Sequence, residues 1–510
     1  MFDYFRNEAL DARNFFTPSP IPKNELRQNQ FGATLGGPIY KDKTFFFASY
    51  EGIKSISDSP SQATVLTQGQ RNGDFSYLFT NDGTTDARGN PTGQLYNPAT
   101  GNPIPGNNLA TAGLIDPVSQ NIINTYMPLP NLPGVTTPNT TNYAGHSRGD
   151  LTVNQAIIRV DQYFSAKDEL FAHYIYGYRN FPNTDLNPNF KFTGTYPINN
   201  FMAQYVHTFN PLLTNEFRAG FDLENVKQLG EYMIPGFIES LGIMGMKVNG
   251  PNGRPLTTSE EGFPLLGISG YLGMGDDLAA SNLDNSRTYQ FVDNVTLIKG
   301  KHALKFGTDI RRLLDDATTN NTPFGQLSFD GSLSGDGVSS GDAAAEYMMG
   351  YPRTVLTPEG VPITAARQWR LAFYGQDDWK ITPKLTLNLG LRYDLFVPPH
   401  DDNHSIYTLD FASNPTAPPF VPVSDPIWSI SHHDFSPRLG FAYSLNPMTV
   451  IRGGYGIFYF GGQFDHINIL QLNPPTAGSV TITNQQAVGN LVTIQDPCRP
   501  LRLPRARRMR

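Results

Sequence analysis

Charged side chains recur at alternate positions in three segments of this 510-residue chain, with apolar residues between them. Successive side chains of a strand point to opposite sides, so alternate charges share one face of a sheet. Such a face could line a polar path for a solute or hold another domain by salt bridges. For any single residue, the simpler interpretation is a hydrated wall. The candidate residues are Glu216, Arg218, Asp222, Lys305, Asp309, Arg311, Arg392 and Asp394.

Other groups of residues suited to chemistry are incomplete. Gly453 to Gly456 resemble a phosphate loop in composition, but they lie inside an alternating strand and not between a strand and a helix. Ser269 lacks the glycine spacing of a nucleophile elbow, and His432-His433 is the only close histidine pair. Residues 81–90 are rich in Asp and Gly but lack the terminal glutamate of a calcium loop. We therefore predict no catalytic residue, metal site or cofactor.

The clearest periodic segment is the stretch from residue 385 to 395. Polar residues occupy its even-numbered positions, with Gly390 among them, and about ten residues of such alternation suffice to cross a bilayer as a tilted barrel strand. The odd-numbered side chains are predicted to face lipid, and they are Leu385, Leu387, Leu389, Leu391, Tyr393 and Leu395.

The same alternation recurs along the chain as strand, short turn, strand. Short turns are predicted at 40–43, 165–168, 210–212, 299–301, 381–384 and 446–448. Long segments rich in Gly, Pro, Asn and Thr separate the hairpins, and they cover roughly residues 53–150, 225–285, 315–365 and 397–432. Tight turns at one end and long loops at the other are typical of an antiparallel transmembrane β-barrel. Helix is predicted only in short pieces, at 116–126 and 342–349.

Composition supports an all-β membrane protein. Aromatic residues make up 12% of the chain and charged residues 16%, and no apolar run approaches the roughly 18 residues of a transmembrane helix. The net charge of -7 gives no reason to expect nucleic acid as a partner. Cys498 is the only cysteine, so an intramolecular disulfide is excluded. The chain begins with MFDYFR and shows no secretory signal peptide there, although an outer-membrane protein needs one, so we expect that the N-terminus is missing.

Several segments resemble the barrel domain of Oar-like TonB-dependent outer-membrane transporters. They occur in order over residues 1 to about 462, and they are Asn29–Phe47 (NQFGATLGGPIYKDKTFFF), Lys299–Gly307 (KGKHALKFG), Gln376–Tyr393 (QDDWKITPKLTLNLGLRY), Pro437–Tyr443 (PRLGFAY) and Ile451–Phe458 (IRGGYGIF). The resemblance implies a large barrel of about 22 strands with an internal plug. It also implies that a TonB box couples the plug to an inner-membrane energy source.

The sequence departs from that family pattern at both ends. Met1 to Arg6 resemble the middle of an early barrel strand, so the family's carboxypeptidase-regulatory-like domain, TonB box and plug have no counterpart in this sequence. At the other end, only about a dozen strands precede Phe460, which is too few for the family barrel. We assign residues 1–462 to a partial barrel domain and 463–497 to a loop or incomplete strand region. Residues 498–510 form a basic tail that could bind nucleic acid or anionic lipid, but we interpret its abrupt change of composition as a shifted frame or assembly artefact.

These features predict a fragment of a TonB-dependent receptor and transporter in the Gram-negative outer membrane, without enzymatic activity. Its partners would be outer-membrane lipid, an unknown substrate, and the TonB complex only through a plug absent from this chain. Two alternatives remain open, a passive outer-membrane pore and a secreted all-β carbohydrate-binding or hydrolytic protein. The last would require a paired-carboxylate cleft, of which the sequence gives no local sign.

Overall fold

The computed structural model describes most of the chain. Its described residues are 1–13, 15, 23–80, 82–135, 137–234, 236–246, 261–276, 282–318, 324–359, 363–423, 428–462, 470, 472–473, 478–486 and 491–497. The predicted basic tail at 498–510 and the lone Cys498 lie outside these ranges.

Strands dominate the described residues. They are β1 (Phe2–Asn7), β2 (Glu25–Tyr40), β3 (Thr44–Ala63), β4 (Tyr143–Tyr163), β5 (Asp168–Thr184), β6 (Lys191–Asn210), β7 (Leu213–Gly230), β8 (Leu265–Ile268), β9 (Asn282–Lys299), β10 (His302–Thr318), β11 (Gln326–Phe329), β12 (Thr354–Glu359), β13 (Ile363–Thr382), β14 (Leu385–Phe396), β15 (His400–Asp401), β16 (Tyr407–Leu409), β17 (Phe420–Pro422), β18 (Phe435–Asn446), β19 (Thr449–Gly456) and β20 (Gly478–Thr483). The α-helices are α1 (Gln68–Arg71), α2 (Pro117–Tyr126), α3 (Phe237–Ser240) and α4 (Ala343–Met348).

One large antiparallel sheet contains most of these strands. Its order is β1-β2-β3-β4-β5-β6-β7-β9-β10-β13-β14-β18-β19, and β15 also pairs with β13. Each long strand is therefore hydrogen-bonded to long strands that are close to it in sequence. This is an up-and-down meander, the topology in which strands of an antiparallel barrel follow one another.

The two ends of this sheet differ in the length of their connections. At one end, the turns at 41–43, 164–167, 211–212, 300–301, 383–384 and 447–448 contain two to four residues. In two of them, an asparagine before proline closes the turn, because Asn210 accepts the backbone N–H of Leu212 and Asn446 accepts that of Met448, both at 2.9 Å. Gly300 adopts a φ of 60° in another, a conformation that glycine tolerates without steric cost. The predicted short turns are confirmed.

The opposite end carries the long connections, although the strands extend further into them than predicted. The predicted loop at 53–150 is too long, because β3 continues to Ala63 and β4 begins at Tyr143. Residues such as Ser55, Ser57 and Ser59 show no apolar alternation. Both faces of a strand contact water above the apolar band of a barrel, which explains why periodicity ends before the strand does.

The long connections pack against one another in place of forming separate open loops. A smaller sheet of order β20-β12-β11-β8 lies among them, with β8 and β11 parallel. Buried apolar side chains from several connections form a cluster that we call the loop core, whose members include Leu66, Ile122, Phe190, Phe263, Leu327, Phe329, Tyr347, Val355 and Ile494. The long connections therefore share a hydrophobic core, which the sequence did not predict.

The two predicted short helices are confirmed. Asp116 caps α2 by accepting the backbone N–H groups of Val118 and Ser119, and Pro117 occupies the first helical position. Asp342 caps α4 in the same way through Ala345. Among the helices of the described residues, none combines the length and the apolar character needed to span a bilayer.

Candidate functional site

The strand register places the eight predicted charged residues on one face of the large sheet. Arg218, Asp309 and Asp394 fall in a single row across β7, β9, β10, β13 and β14, with Val292 and Ala372 between them. Glu216 and Arg392 share the neighbouring row. We call this side of the sheet the polar face, and its assignment to the barrel lumen stays a prediction.

The six predicted lipid-facing residues of β14 occupy the opposite side, which we call the apolar face. Leu391 pairs with Gly375 of β13 and Pro437 of β18, and Leu387 pairs with Trp379 and Phe441. Aromatic and aliphatic side chains continue this face onto the neighbouring strands. Its contact with lipid remains a prediction.

Six of the eight charged residues form ion pairs. Arg311 donates to Asp309 at 2.8 Å, and Arg392 donates to Asp394 at 2.8 Å and lies 3.8 Å from Asp309. A separate pair joins Arg218 to Glu216 at 2.5 Å. Asp309 and Asp394 are buried, being 8% and 6% exposed, so these carboxylates depend on their arginine partners.

The remaining two charged residues do not join this network. Within the described ranges, neither Asp222 nor Lys305 has an ion-pair partner. Asp222 pairs in register with Thr288 and Lys305 with Gln376, both uncharged. The structure therefore joins six of the predicted residues in ion pairs, and among the described residues it leaves the other two without an ion-pair partner on the same face.

A cleft of about 270 Å³ opens on the polar face beside the Asp309 pairs. Its lining includes Arg311, Arg392 and the segment Phe458–Gly461. Three further lining residues, Arg370, Ser436 and Arg438, are not among the eight predicted charged residues. All three lie at alternate strand positions whose side chains share the polar face, so alternation along the strands could have identified them. Arg370 pairs directly with Arg311, and Ser436 with Arg392. We call this site the arginine cleft.

The loop core contains a buried acid at its centre. The Glu346 side chain of α4 accepts backbone N–H groups from Gly331 and Ser334 at 2.9 Å, and one from Leu333. Burial raises the pKa of Glu346 to about 7, although these three hydrogen bonds favour the carboxylate. This carboxyl group thus fixes the loop that precedes α4.

The raised pKa of Glu346 predicts a stability that depends on pH. The folded state holds the proton more tightly than the unfolded state, so the free energy of unfolding of the loop core should fall by about 1–3 kcal/mol as pH rises from about 4.5 to about 7, and then stay level. E346Q should remove this dependence. Hydrogen-exchange protection of peptides spanning 326–349, corrected for intrinsic rates, measures it. E231Q, an exposed glutamate, serves as control, and an unchanged slope in E346Q would contradict the assignment.

The other sequence motifs have structural explanations. Gly453 to Gly456 lie within β19, where they pair with β18. Asp82 and Asp86 accept backbone N–H groups of their own turn, from Thr84, Arg88 and Asn90, so their carboxylates are engaged. Ser269 follows β8 in a turn, with its backbone N–H bonded to Phe329. In the part of the chain that the structure describes, no three His, Cys, Asp or Glu residues are grouped as metal ligands would be.

The family comparison agrees with this architecture. A model of the outer membrane beta barrel domain matches residues 1–507. The chain belongs to this family. The predictions of an antiparallel all-β barrel fold and of a location in the Gram-negative outer membrane are therefore confirmed. None of the curated proteins matches the chain.

Solved structures similar to this barrel domain are outer-membrane proteins. They include the outer membrane transporter YddB from Escherichia coli, with 9% identity, a TM-score of 0.43, and coverage of 89% of this chain and 41% of that chain. The ferric preacinetobactin receptor BauA from Acinetobacter baumannii has 10% identity, a TM-score of 0.30, and coverage of 89% and 56%. The ferric-catecholate import receptor Fiu from E. coli K12 has 8% identity, a TM-score of 0.31, and coverage of 85% and 57%. The chain spans about half the length of these structures.

Proposed function

We propose that this chain supplies barrel strands to a TonB-dependent outer-membrane transporter, which moves a solute along its polar face and performs no covalent chemistry. The observation that carries the proposal is the separation of the sheet into a charged face with an arginine cleft and an apolar face built for lipid. The family membership and the Oar-like motifs support it. A plug and TonB box would belong to the intact protein.

Genetic epistasis tests the dependence on TonB. In a host that carries the gene, strains lacking the gene, TonB or both would be compared by mass-spectrometric profiling of solutes removed from the medium. We expect a common set of solutes whose removal slows to the same extent in all three strains, because the two proteins act in one step. A passive pore predicts a defect in the gene deletion that TonB loss does not reproduce.

The same experiment separates transport from a secreted carbohydrate-binding role. A binding protein released from the cell would leave solute removal unchanged in the gene deletion. That outcome would contradict the transport proposal. Reintroducing the intact gene provides the control for indirect effects of the deletion.

A further inference from the structure

The arginine cleft carries more positive than negative charge. Four arginines line it, Arg311, Arg370, Arg392 and Arg438, against the two aspartates Asp309 and Asp394, which leaves two positive charges in excess. Clefts lined by one sign of charge concentrate ions of the opposite sign. The excess therefore favours an anionic occupant.

The excess is located on two particular side chains. Arg311 and Arg392 already satisfy Asp309 and Asp394. Arg370 instead donates to neutral oxygens, the Gln368 side chain at 2.8 Å and the Gly462 carbonyl at 3.1 Å. Among the described residues, no carboxylate forms an ion pair with Arg370, so its positive charge is not compensated.

Arg438 is the second uncompensated cation. Its guanidinium lies 4.7 Å from the ring centroid of Phe458, and the described residues offer it no carboxylate. The side chain is exposed on the polar face, so it can adjust to a ligand. Guanidinium groups bind carboxylate and phosphate with two parallel hydrogen bonds. Because neither Arg370 nor Arg438 is paired with a carboxylate in the described residues, both can contribute positive charge to an oxyanion site in the cleft.

A buried hydroxyl gives independent evidence for a ligand. Ser436 lines the cleft and is only 1% exposed, yet its Oγ has no hydrogen-bond partner among the described residues. Buried polar atoms in folded proteins are almost always hydrogen-bonded. A ligand oxygen in the cleft would accept the hydroxyl proton and satisfy this atom.

We propose that the arginine cleft binds an oxyanion, a carboxylate or phosphate group carried by a solute. Arg370 and Arg438 hold its charge and Ser436 donates a hydrogen bond. The Asp309 and Asp394 pairs keep Arg311 and Arg392 in place beside it. The inference rests on the proposed transport function for its physiological role, because it names the class of solute that would pass along the polar face.

Calorimetric titration of the purified intact protein in detergent at low ionic strength tests the site. Inorganic phosphate and succinate are the probes, and glucose is the uncharged reference. We expect saturable binding of at least one anion that weakens with added salt, and none of glucose. R370Q/R438Q should weaken anion binding by roughly tenfold or more, since charge-assisted hydrogen bonds are lost.

Two further variants distinguish a ligand site from a general charge effect. K305Q removes a cation of the same face that does not line the cleft, and it should leave binding unchanged. S436A should weaken binding by about threefold to tenfold while leaving heat-modifiable gel migration as in the parent protein, because its hydroxyl has no partner to lose.

Equal losses in K305Q and R370Q/R438Q, or the absence of saturable anion binding, would overturn the proposal. R370K/R438K checks for misfolding, because it keeps the charge but not the paired hydrogen bonds, and it should bind with intermediate affinity. The TonB epistasis experiment does not depend on these titrations. Loss of anion binding with intact epistasis would reject the cleft alone, and the reverse result would reject TonB-dependent transport alone.

Discussion

F263A is expected to lower the free energy of unfolding of the loop core by about 3–5 kcal/mol, the range for deleting a fully buried phenylalanine. Phe263 is 0% exposed. Its ring centroid lies 4.9 Å from that of Tyr126 and 5.1 Å from that of Phe190. These three rings come from three different connections, so the cavity would loosen the contacts that join them.

The effect of F263A should be confined to the loop core. Hydrogen exchange should increase in peptides containing α2, β8 and α4, while heat-modifiable gel migration, which reports the assembled barrel, stays unchanged. F411A removes a phenylalanine that is 59% exposed in another connection, and it should have little effect. If F263A and F411A gave the same exchange pattern, the connections would not share a common core in the membrane.

L391R is expected to destabilise the barrel by about 2–4 kcal/mol, because an arginine on the lipid side near the bilayer midplane loses its hydration. Leu391 is 50% exposed on the apolar face. It lies six residues beyond Leu385, or about 14 Å along the axis of a barrel with strands tilted by about 45°. That position is close to the middle of an apolar band about 25 Å tall.

Urea unfolding of the intact protein in lipid vesicles, followed by tryptophan fluorescence, measures this loss. The matched control is N388R on the same strand. Asn388 is exposed on the polar face and donates to Asp378 at 2.5 Å, so an arginine there keeps a carboxylate partner. Equal destabilisation by L391R and N388R would contradict the assignment of the apolar face to lipid.

The face of the sheet on which each charged side chain lies was the feature of the site that the sequence predicted most directly. Because side chains alternate along a strand, Arg392 and Asp394 had to share a face, as did Asp309 and Arg311. The choice of members was incomplete, since Arg370, Ser436 and Arg438 follow the same parity but do not belong to a charged alternating run. Lys305 and Asp222 satisfied the pattern without joining the ion-pair network. Parity therefore predicted the face better than it predicted the contacts.

The long connections show where sequence reasoning failed. Apolar residues such as Phe263, Leu327 and Ile494 are far apart in the chain and show no long periodic pattern, so nothing local indicated that they meet. Capping residues are local signals, which is why Asp116 and Asp342 correctly predicted the starts of α2 and α4. The core that buries those helices depends on contacts between connections.

The sequence by itself determined the short turns and the two faces of strands such as Leu385–Phe396, because alternation and turn chemistry act over a few neighbouring residues. Alternation alone would also fit half of a soluble sheet, and it was the resemblance of the ordered motifs to the Oar-like family that predicted a membrane barrel. Only the tertiary structure decided that Arg370, Arg438 and Ser436 meet in one cleft and that distant connections form a packed core around Phe263 and Glu346. The register between strands brings the cleft residues together, and the burial of apolar side chains that are distant in sequence forms the packed core. Both depend on pairings between residues remote in sequence, which local patterns do not encode.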